Sequence, residues 1–514
     1  MRHHAAPRGL VHESPTLFAS SERIVKVNRT FHFVCRRTGR VVVLWLAAWA
    51  GSMTAAFAQS SNSSSADNPF WGSVTAHPAT DDTLKLSLDD AIRRGLENNL
   101  GLKEAENGEK ALQGERNQAL QLFLPAVKGT FDSGYYQHNL VALGFNPTLA
   151  AKFAPLFPGG KLPVGFSLIT HDTLTEAQVH VDQTLFSGPV IAGFKAAGAA
   201  ERAAYFAKMS ARGEVVQQVA TIYLRCIADT SEVDNANSQV AEAQLQFDHA
   251  HQAHLAGTVA NLDELRAQVQ LQAQQQSLIA ARNSLEKDLI LLKREIGVDP
   301  GQKIELTDPA PYNDLAAQTP AEVLAIAYQD RQDYQNLQNQ VIELKAVHLA
   351  YRSQRLPTLR FSGFYGESDV AGAGTRGNFV AYGTLSVPLF REAGLRGDED
   401  ASQAQLNSIY AQLADLRTHI DQQVRSALLD VAANAQLVEV AHSNVDLATR
   451  ALDDEAARVS AGVDDNLPLV DAQAALASAQ SNLVESLYQY NLSKLALARS
   501  SGVLEQQYRI FLGK

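Results

Sequence analysis

Several stretches of the chain alternate apolar or small side chains with polar ones, which is the period-two pattern of β-strands. In the first half, one such stretch begins near residue 127 and another near residue 177. Their apolar or small members are Val127, Gly129, Phe131, Tyr135, Ala177, Val179 and Val181, and their polar members are Lys128, Thr130, Asp132, Gln178, His180 and Asp182. Residues 359–365 and 379–387 alternate in the same way. The pattern predicts two β-hairpins with strands of ~9–11 residues, the length of membrane barrel strands.

A second pattern, with apolar residues every three or four positions, follows the second hairpin. Its members are Leu406, Ile409, Leu413, Leu416, Ile420, Val424, Leu428, Val431, Ala435 and Val438. Their spacing is close to the 3.5-residue period of a coiled coil. The segment runs from about residue 393 to 460 without a proline, so we expect a helix on the order of 100 Å long. Gly462, and Gly257 in the first half, are predicted to end these helices as C-cap residues.

The chain repeats itself. Ala256-Gly257 recurs as Ala461-Gly462, and Gly297 recurs as Gly502, at a separation of 205 residues. Before the hairpins the separation is 232, as between Leu124-Pro125 and Leu356-Pro357. The two offsets differ by 27 residues, which places an insertion in the first copy between residues 126 and 185. Residues 138–171, rich in Gly, Pro and Phe, are predicted to form a long loop there.

Each copy is therefore predicted to contain an opening helix, a hairpin, a long helix and a return helix. The opening helices are expected at 86–123 and 320–355, and the return helices to begin at Leu262 and Leu467. The resulting domain scheme has a first repeat at 86–310 and a second at 311–503. The flanking parts are an N-terminal extension with a signal peptide at 1–58, a linker at 59–85 and a C-terminal tail at 504–514.

Charge is distributed unevenly along the 514 residues. The chain has a formal net charge of −11, but residues 1–58 carry eight Lys or Arg and two Asp or Glu, so the remainder holds −17. An acidic body argues against a nucleic-acid partner, because the phosphate backbone requires a basic face. It suits either a soluble surface or a lumen that favours cations.

The basic start resembles an export signal. Three arginines at 36, 37 and 40 precede an apolar run at 41–50, which is too short to span a bilayer. Ala56-Phe57-Ala58 follows, so cleavage is predicted after Ala58; a membrane anchor or a buried helix is the alternative. Cys226 would remain as the single cysteine, which excludes an intrachain disulfide in the mature chain. Residues 1–30 suit either an extended or a mis-assigned start.

No motif of enzymatic chemistry is present. The chain lacks a Ser/His/Asp arrangement, a phosphate-binding glycine loop and an HExxH sequence, so we expect no catalysis, cofactor or metal. His249, His251 and His254 lie close together, but only His251 and His254 share a helix face. One such pair is a weak metal signal, and the interpretation is a solvated face.

The predicted elements require several chains. Four strands are too few to close a membrane barrel, which needs at least ~8. The predicted long helices also far exceed the ~11–12 residues that helices average in globular proteins. We therefore expect an oligomeric tube.

The order of these parts resembles the TolC-like outer-membrane efflux proteins. The resemblance extends from Leu86-Ser87-Leu88-Asp89-Asp90-Ala91 to the Gly502 region, and Leu-Phe pairs at 185–186 and 389–390 follow each hairpin. It implies an α+β membrane protein in the cell outer membrane with a periplasmic extension, a homotrimer with a 12-stranded transmembrane β-barrel and an α-barrel of long antiparallel coiled-coil helices. It also implies a passive duct, contacting outer-membrane lipid, that joins a periplasmic adaptor and an inner-membrane pump of RND or ABC type.

The resemblance also implies a gate at the helix turns near the periplasmic tip. By position relative to the turn glycine, Asp471 occupies the place of a gate-ring carboxylate and Asp263 that of a linking carboxylate. Pro468 replaces a second ring carboxylate, and Asp464 replaces a basic partner of Asp263. Asp464 and Asp465, repeated by threefold symmetry, would form an acidic belt that favours cations. The alternative is that these residues are turn and helix-start carboxylates, which favour the helix dipole.

Two functions remain open from the sequence. The first is the exit duct of an efflux pump or type I secretion system, with a drug, a metal ion or a protein as the transported substrate. The second is an exported coiled-coil trimer, such as a fibre or an adhesin stalk, without transport activity. The second explains the coiled-coil pattern and the signal, but it does not explain why two hairpins lie at matching points of the two repeats.

Overall fold

The computed structural model describes residues 68–74, 78–142, 147–161, 167, 169–258, 260–309, 311–316, 318–370, 374–461 and 466–513. The predicted signal and its cleavage site after Ala58 lie outside these residues. Among the helices of the described ranges, none is both long enough and apolar enough to cross a membrane.

The elements follow the predicted order. The helices are α1 Leu88–Asn98, α2 Leu100–Gln121, α3 Pro147–Phe153, α4 Gly188–Leu255, α5 Asn261–Glu295, α6 Pro320–Asp330, α7 Gln332–Ser353, α8 Glu392–Ser460, α9 Asn466–Ser500 and α10 Leu504–Leu512. The strands are β1 Leu84–Leu86, β2 Ala126–Asn139, β3 Ile169–Phe186, β4 Ile304–Leu306, β5 Thr358–Val370 and β6 Gly374–Ser386. The predicted α+β class is confirmed, with each hairpin placed between an opening helix and a long helix.

The two copies match in detail. The long helices α4 and α8 have 68 and 69 residues, and the return helices α5 and α9 have 35 each. Each opening helix is divided into parts of 11 and 22 residues, which the sequence did not predict. The division falls at Asn99 and at Arg331, where ψ is 131° and 121°.

Each division lies against the turn that ends its own return helix. The Asn98 side chain donates to the Ile296 carbonyl at 3.1 Å, and Arg331 Nη1 donates to the Ser500 carbonyl at 3.2 Å. Residues 296 and 500 adjoin the glycine turns that follow α5 and α9. The break therefore allows an opening helix to change direction where it meets its own copy's return helix.

The hairpins form one antiparallel sheet in the order β2-β3-β5-β6. The strands contain 14, 18, 13 and 13 residues, so the predicted length of ~9–11 was wrong. Pairing continues past the apolar part, through Gln137↔His171 to Asn139↔Ile169, because backbone pairing does not require apolar side chains. The predicted loop is also partly helical, since it contains α3.

The coiled-coil stripe predicted on α8 is confirmed, because none of its ten members is exposed. Ile420, Val424 and Val438 are fully buried. They face the helices packed against α8, as expected for a seam of period near 3.5.

The core lies where α1, α2 and α4 to α10 converge. A parallel pair of short strands, β1 and β4, joins the start of the first copy to its end. Asp308 Oδ2 accepts from the Leu88 backbone N–H at 2.7 Å and so caps α1. The predicted C-terminal tail forms α10, whose Leu504, Tyr508 and Phe511 are buried in this core.

Glycines of left-handed conformation follow four of the described helices, with φ of 72° at Gly257, 71° at Gly297, 83° at Gly502 and 73° at Gly513. After Gly257, the Thr258 N–H donates to the Ala253 carbonyl at 3.0 Å, and the Gly257 N–H donates to the His254 carbonyl at 2.9 Å. This is the Schellman arrangement, which satisfies the last carbonyls of a helix.

The surroundings of two of these glycines differ, which gives a matched test. A Cβ at Gly502 would lie 2.7 Å from the Arg331 nitrogen, whereas a Cβ at Gly257 would have nothing within 4 Å. We expect Gly502→Ala to lower the unfolding free energy by roughly 2–4 kcal/mol, since a backbone clash adds to the left-handed penalty. Gly257→Ala should cost about 1 kcal/mol, the left-handed penalty alone. Thermal unfolding followed by circular dichroism measures both, and equal losses would contradict the clash.

Candidate functional site

The sheet has two chemically different faces. Residues that the sequence identified as apolar or small pair with one another, as in Val127↔Val181, Gly129↔Val179 and Phe131↔Ala177. The same face continues across β5 and β6 through Tyr365↔Phe379 and Leu359↔Leu385. We call this the apolar face. Its large side chains are exposed, with Phe131 at 74%, Phe379 at 69% and Tyr365 at 64%.

The opposite side, the polar face, carries hydrogen bonds between strands. Ser362 donates to Asp182 at 2.7 Å and Ser368 donates to Glu176 at 2.9 Å, in both cases from β5 to β3. Thr130 and His180 lie 3.1 Å apart at Oγ1 and Nε2. This face suits contact with water, and the apolar face suits contact with lipid or protein.

Two strands, β2 and β6, form the edges of the sheet. An edge strand presents backbone N–H and C=O groups along its outer side, and these require a partner where water is excluded. The four-stranded sheet is therefore suited to pairing with further strands on both sides.

The far ends of the long helices form the second candidate region. Asp263 lies in the first turn of α5, and its Oδ1 is 3.3 Å from Arg266 Nη1 of the same helix. Asp471 lies near the start of α9 and is exposed. Gly462, Asp464 and Asp465 fall outside the described residues.

A polar seam joins the two helical hairpins along α4 and α9. Near the tips, Gln473 donates to Glu242 at 3.0 Å, and further along Ser481 donates to Glu232 at 2.7 Å. These bonds place the start of α9 beside α4, so the region of Asp471 lies next to the first hairpin. The sequence did not predict the seam, because its partners are about 230–250 residues apart.

The tip histidines have an acidic partner. His251 Nδ1 lies 2.7 Å from Glu264 Oε1, and His254 Nε2 lies 3.9 Å from Glu264 Oε2, so α4 and α5 are linked across the turn. Sequence reasoning found the histidines but missed Glu264, which lies on the other helix. Within the described residues, no group of three His, Cys, Asp or Glu is placed to hold a metal ion.

A cluster of three carboxylates around one guanidinium lies deeper in the body. Arg225 Nε is 3.3 Å from Asp229 and 3.6 Å from Asp288, and Arg225 Nη1 is 3.6 Å from Glu485. The cluster joins α4, α5 and α9. Burial, together with a hydrogen bond that the protonated Asp229 carboxyl donates to Asp288, raises the pKa of Asp229 to about 7.

Two further buried carboxyl groups also have pKa values raised to near neutral pH. Glu295 is fully buried, neither of its carboxyl oxygens has a hydrogen-bond partner within the described residues, and burial raises its pKa to about 7. Burial, with the nearby charge of Glu115, raises the pKa of Glu343 to about 7. The helical body therefore holds carboxyl groups that change charge near neutral pH.

These raised pKa values predict a pH-dependent stability. A carboxyl group whose pKa is higher in the folded state than in the unfolded state binds its proton more tightly in the folded state. Its contribution to stability is lost as pH rises from the unfolded pKa, about 4.3, to the raised folded pKa. Glu295→Gln removes this dependence at one site without changing the shape of the side chain. We expect the variant to exceed wild type in melting temperature at about pH 8, with the difference shrinking at about pH 5.

Thermal unfolding at both pH values measures this difference. Glu305→Gln, at an exposed position of β4, is the matched control and should show no pH-dependent gain. A Glu295→Gln variant that is less stable than wild type at both pH values would contradict the prediction that the ionised Glu295 carboxylate is buried without a stabilising partner.

The sequence of the chain matches that of a known protein family. The sequence model of the outer membrane efflux protein family matches residues 91–298 and 323–503, well over half of the chain. The chain therefore belongs to the outer membrane efflux protein family, and its location is the outer membrane. The two matched ranges correspond to the two repeats.

Individual relatives agree with this family. The alkaline protease secretion protein AprF of Pseudomonas aeruginosa is 24% identical over 306 residues, and the outer membrane protein TolC of Escherichia coli is 24% identical over 319. Each match covers 57% of this chain but 62% of the relative, so less than two thirds of either relative is spanned. The crystal structure of the Campylobacter jejuni CmeC outer membrane channel superimposes with a TM-score of 0.67 at 14% identity, covering 85% of this chain and 92% of that one. That likeness shows the fold.

Proposed function

We propose that the protein is the exit duct of a tripartite efflux pump or a type I secretion system. It is a passive conduit for substrates that an inner-membrane transporter of RND or ABC type and a periplasmic adaptor deliver. The observation that carries the proposal is a sheet with one exposed apolar face and two edge strands, joined to helices of 68 and 69 residues.

Assembly follows from the edges of the sheet. Three copies placed side by side would bring β2 of one copy against β6 of the next and close a twelve-stranded sheet. Closure would satisfy the backbone groups of both edges. The apolar face would then contact lipid, and the polar face, with Asp182, Glu176 and His180, would line the interior.

The carboxylates at the tips are proposed to control passage. Asp263 and Asp471 lie near the starts of α5 and α9, and the bonds between α4 and α9 bring the start of α9 beside α4, the helix that precedes α5. Threefold repetition of Asp471, with Asp464 and Asp465 from the adjoining turn, would surround the opening with negative charge and favour cations.

The lipid-facing side of the sheet can be tested with a matched pair of neighbours on β2. Phe131→Arg places a charge on the apolar face, where arginine near mid-depth of a membrane costs roughly 2–4 kcal/mol. Thr130→Arg places the same charge on the polar face and should cost far less. Urea unfolding from lipid vesicles measures both, and equal losses would contradict the assignment of the faces.

The duct itself is tested by single-channel conductance of the purified protein in a planar bilayer. Wild type should give discrete, cation-selective openings. Asp471→Ala, Asp263→Ala and the Asp464→Ala/Asp465→Ala pair should change open probability or selectivity, because they remove charge at the constriction. Asp430→Ala, at an exposed position on α8 away from the turn, is the control and should behave as wild type.

The structural alternative predicts a different result. Stable trimers that conduct in neither wild type nor the variants would favour a fibre or stalk. In that case, deletion of the gene would also leave the cellular accumulation of a fluorescent efflux dye unchanged. An increase in dye accumulation on deletion would instead support the duct, even if the isolated channel were shut.

A further inference from the structure

The connection between β2 and β3, residues 140–168, lies at the end of the sheet away from the long helices. The strand β2 begins just after α2, and β3 leads directly into α4 through Ser187. The opposite ends of both strands therefore point away from the helical body. The β5–β6 connection, residues 371–373, lies at the same end and is only three residues long.

The longer connection differs in composition from the rest of the chain. Residues 140–170 contain no Asp or Glu, four phenylalanines and two charges, the cations Lys152 and Lys161. The whole chain has 55 acidic and 44 basic residues, so a cationic stretch of this length departs from the average. The β5–β6 hairpin end carries Glu367, Asp369 and Arg376 instead.

The described part of the connection exposes its apolar groups. The helix α3 is followed by two short 3-10 turns, Ala154–Leu156 and Pro158–Gly160. Leu156 is 78% exposed, and Phe153 and Phe157 are also exposed. Lys152 and Lys161 are exposed in the same stretch. Large apolar side chains beside lysines are typical of segments that lie in the boundary between lipid head groups and acyl chains.

The apolar face of the sheet extends to Ile169, at the end of β3 from which this connection leads. Ile169, where β3 begins, pairs with Asn139 and lies on the same face as Phe131 and Tyr135. The Tyr135 ring stacks on His171 with centroids 5.7 Å apart. Aromatic rings with a polar end are enriched at membrane–water boundaries. The lipid-facing side of the sheet therefore ends in an aromatic pair next to the connection.

We propose that residues 147–161, here called the surface segment, dock on the outer leaflet of the membrane around the channel. Leu156, Phe153 and Phe157 enter the head-group boundary, and Lys152 and Lys161 contact anionic, phosphate-bearing lipid. The proposal rests on the orientation of the sheet given above, in which the apolar face contacts lipid. It is independent of conduction, so a non-conducting trimer would leave it intact.

A site-directed probe on the full-length protein tests the docking. Leu156→Cys is introduced with Cys35→Ser and labelled with an environment-sensitive dye, because Cys226 is buried and remains unlabelled. The protein is reconstituted into phosphatidylcholine vesicles with or without phosphatidylglycerol. We expect blue-shifted emission that is quenched by nitroxide-bearing lipids, and stronger quenching with phosphatidylglycerol.

Two controls define the result. Thr375→Cys, in the short hairpin at the same end, should remain open to aqueous iodide in both kinds of vesicle. Lys152→Glu with Lys161→Glu should abolish the extra quenching caused by phosphatidylglycerol, while free inorganic phosphate should have no effect. Iodide quenching of the label at position 156 would overturn the proposal, since the segment would then lie in water. Self-quenching between labels would also overturn it, since the segments would then pack against one another.

Discussion

Backbone hydrogen bonding at the edges of the four-stranded sheet is the constraint on which the rest of the structure depends. The strands β2 and β6 present N–H and C=O groups that one chain leaves at the border of the sheet. An outer-membrane protein cannot expose such groups to hydrocarbon, where each unsatisfied group costs several kcal/mol. The assembly proposed above would meet this requirement, because strands of neighbouring copies would pair with both edges.

The helical body meets a different requirement, since it must bring long helices together at fixed relative positions. Apolar residues such as Ile420 and Val424 are buried between the helices, while polar links between α4 and α9 join specific pairs of residues across them. Buried carboxyl groups such as Glu295 and Asp229 oppose stability when they are ionised, because burial penalises charge. They couple the packing of the body to pH in a way that apolar seams do not.

The two hairpins differ at the end away from the helices. The β5–β6 connection is short and is flanked by charges of both signs, whereas the β2–β3 connection is long, apolar and cationic. The repeat accounts for the shared strands and helices, and the insertion of 27 residues accounts for the difference. A surface that carries Leu156 and Phe157 next to Lys161 needs an environment that accepts both apolar groups and cations, which a lipid head-group boundary provides.

The sequence by itself determined the parts and their order, because both periods are local: alternation specified the two faces of the strands, and 3.5-residue spacing specified the stripe on α8. The repeat offsets also located the turns, including Gly257. Only the tertiary structure decided features that depend on distant partners. Asp308 caps α1 across 220 residues, Glu264 pairs with His251 from the opposite helix, and the break at Arg331 exists because the Gly502 turn packs against it. No local pattern encodes such contacts, since each joins two separate elements and becomes favourable only once those elements of the same copy have packed together.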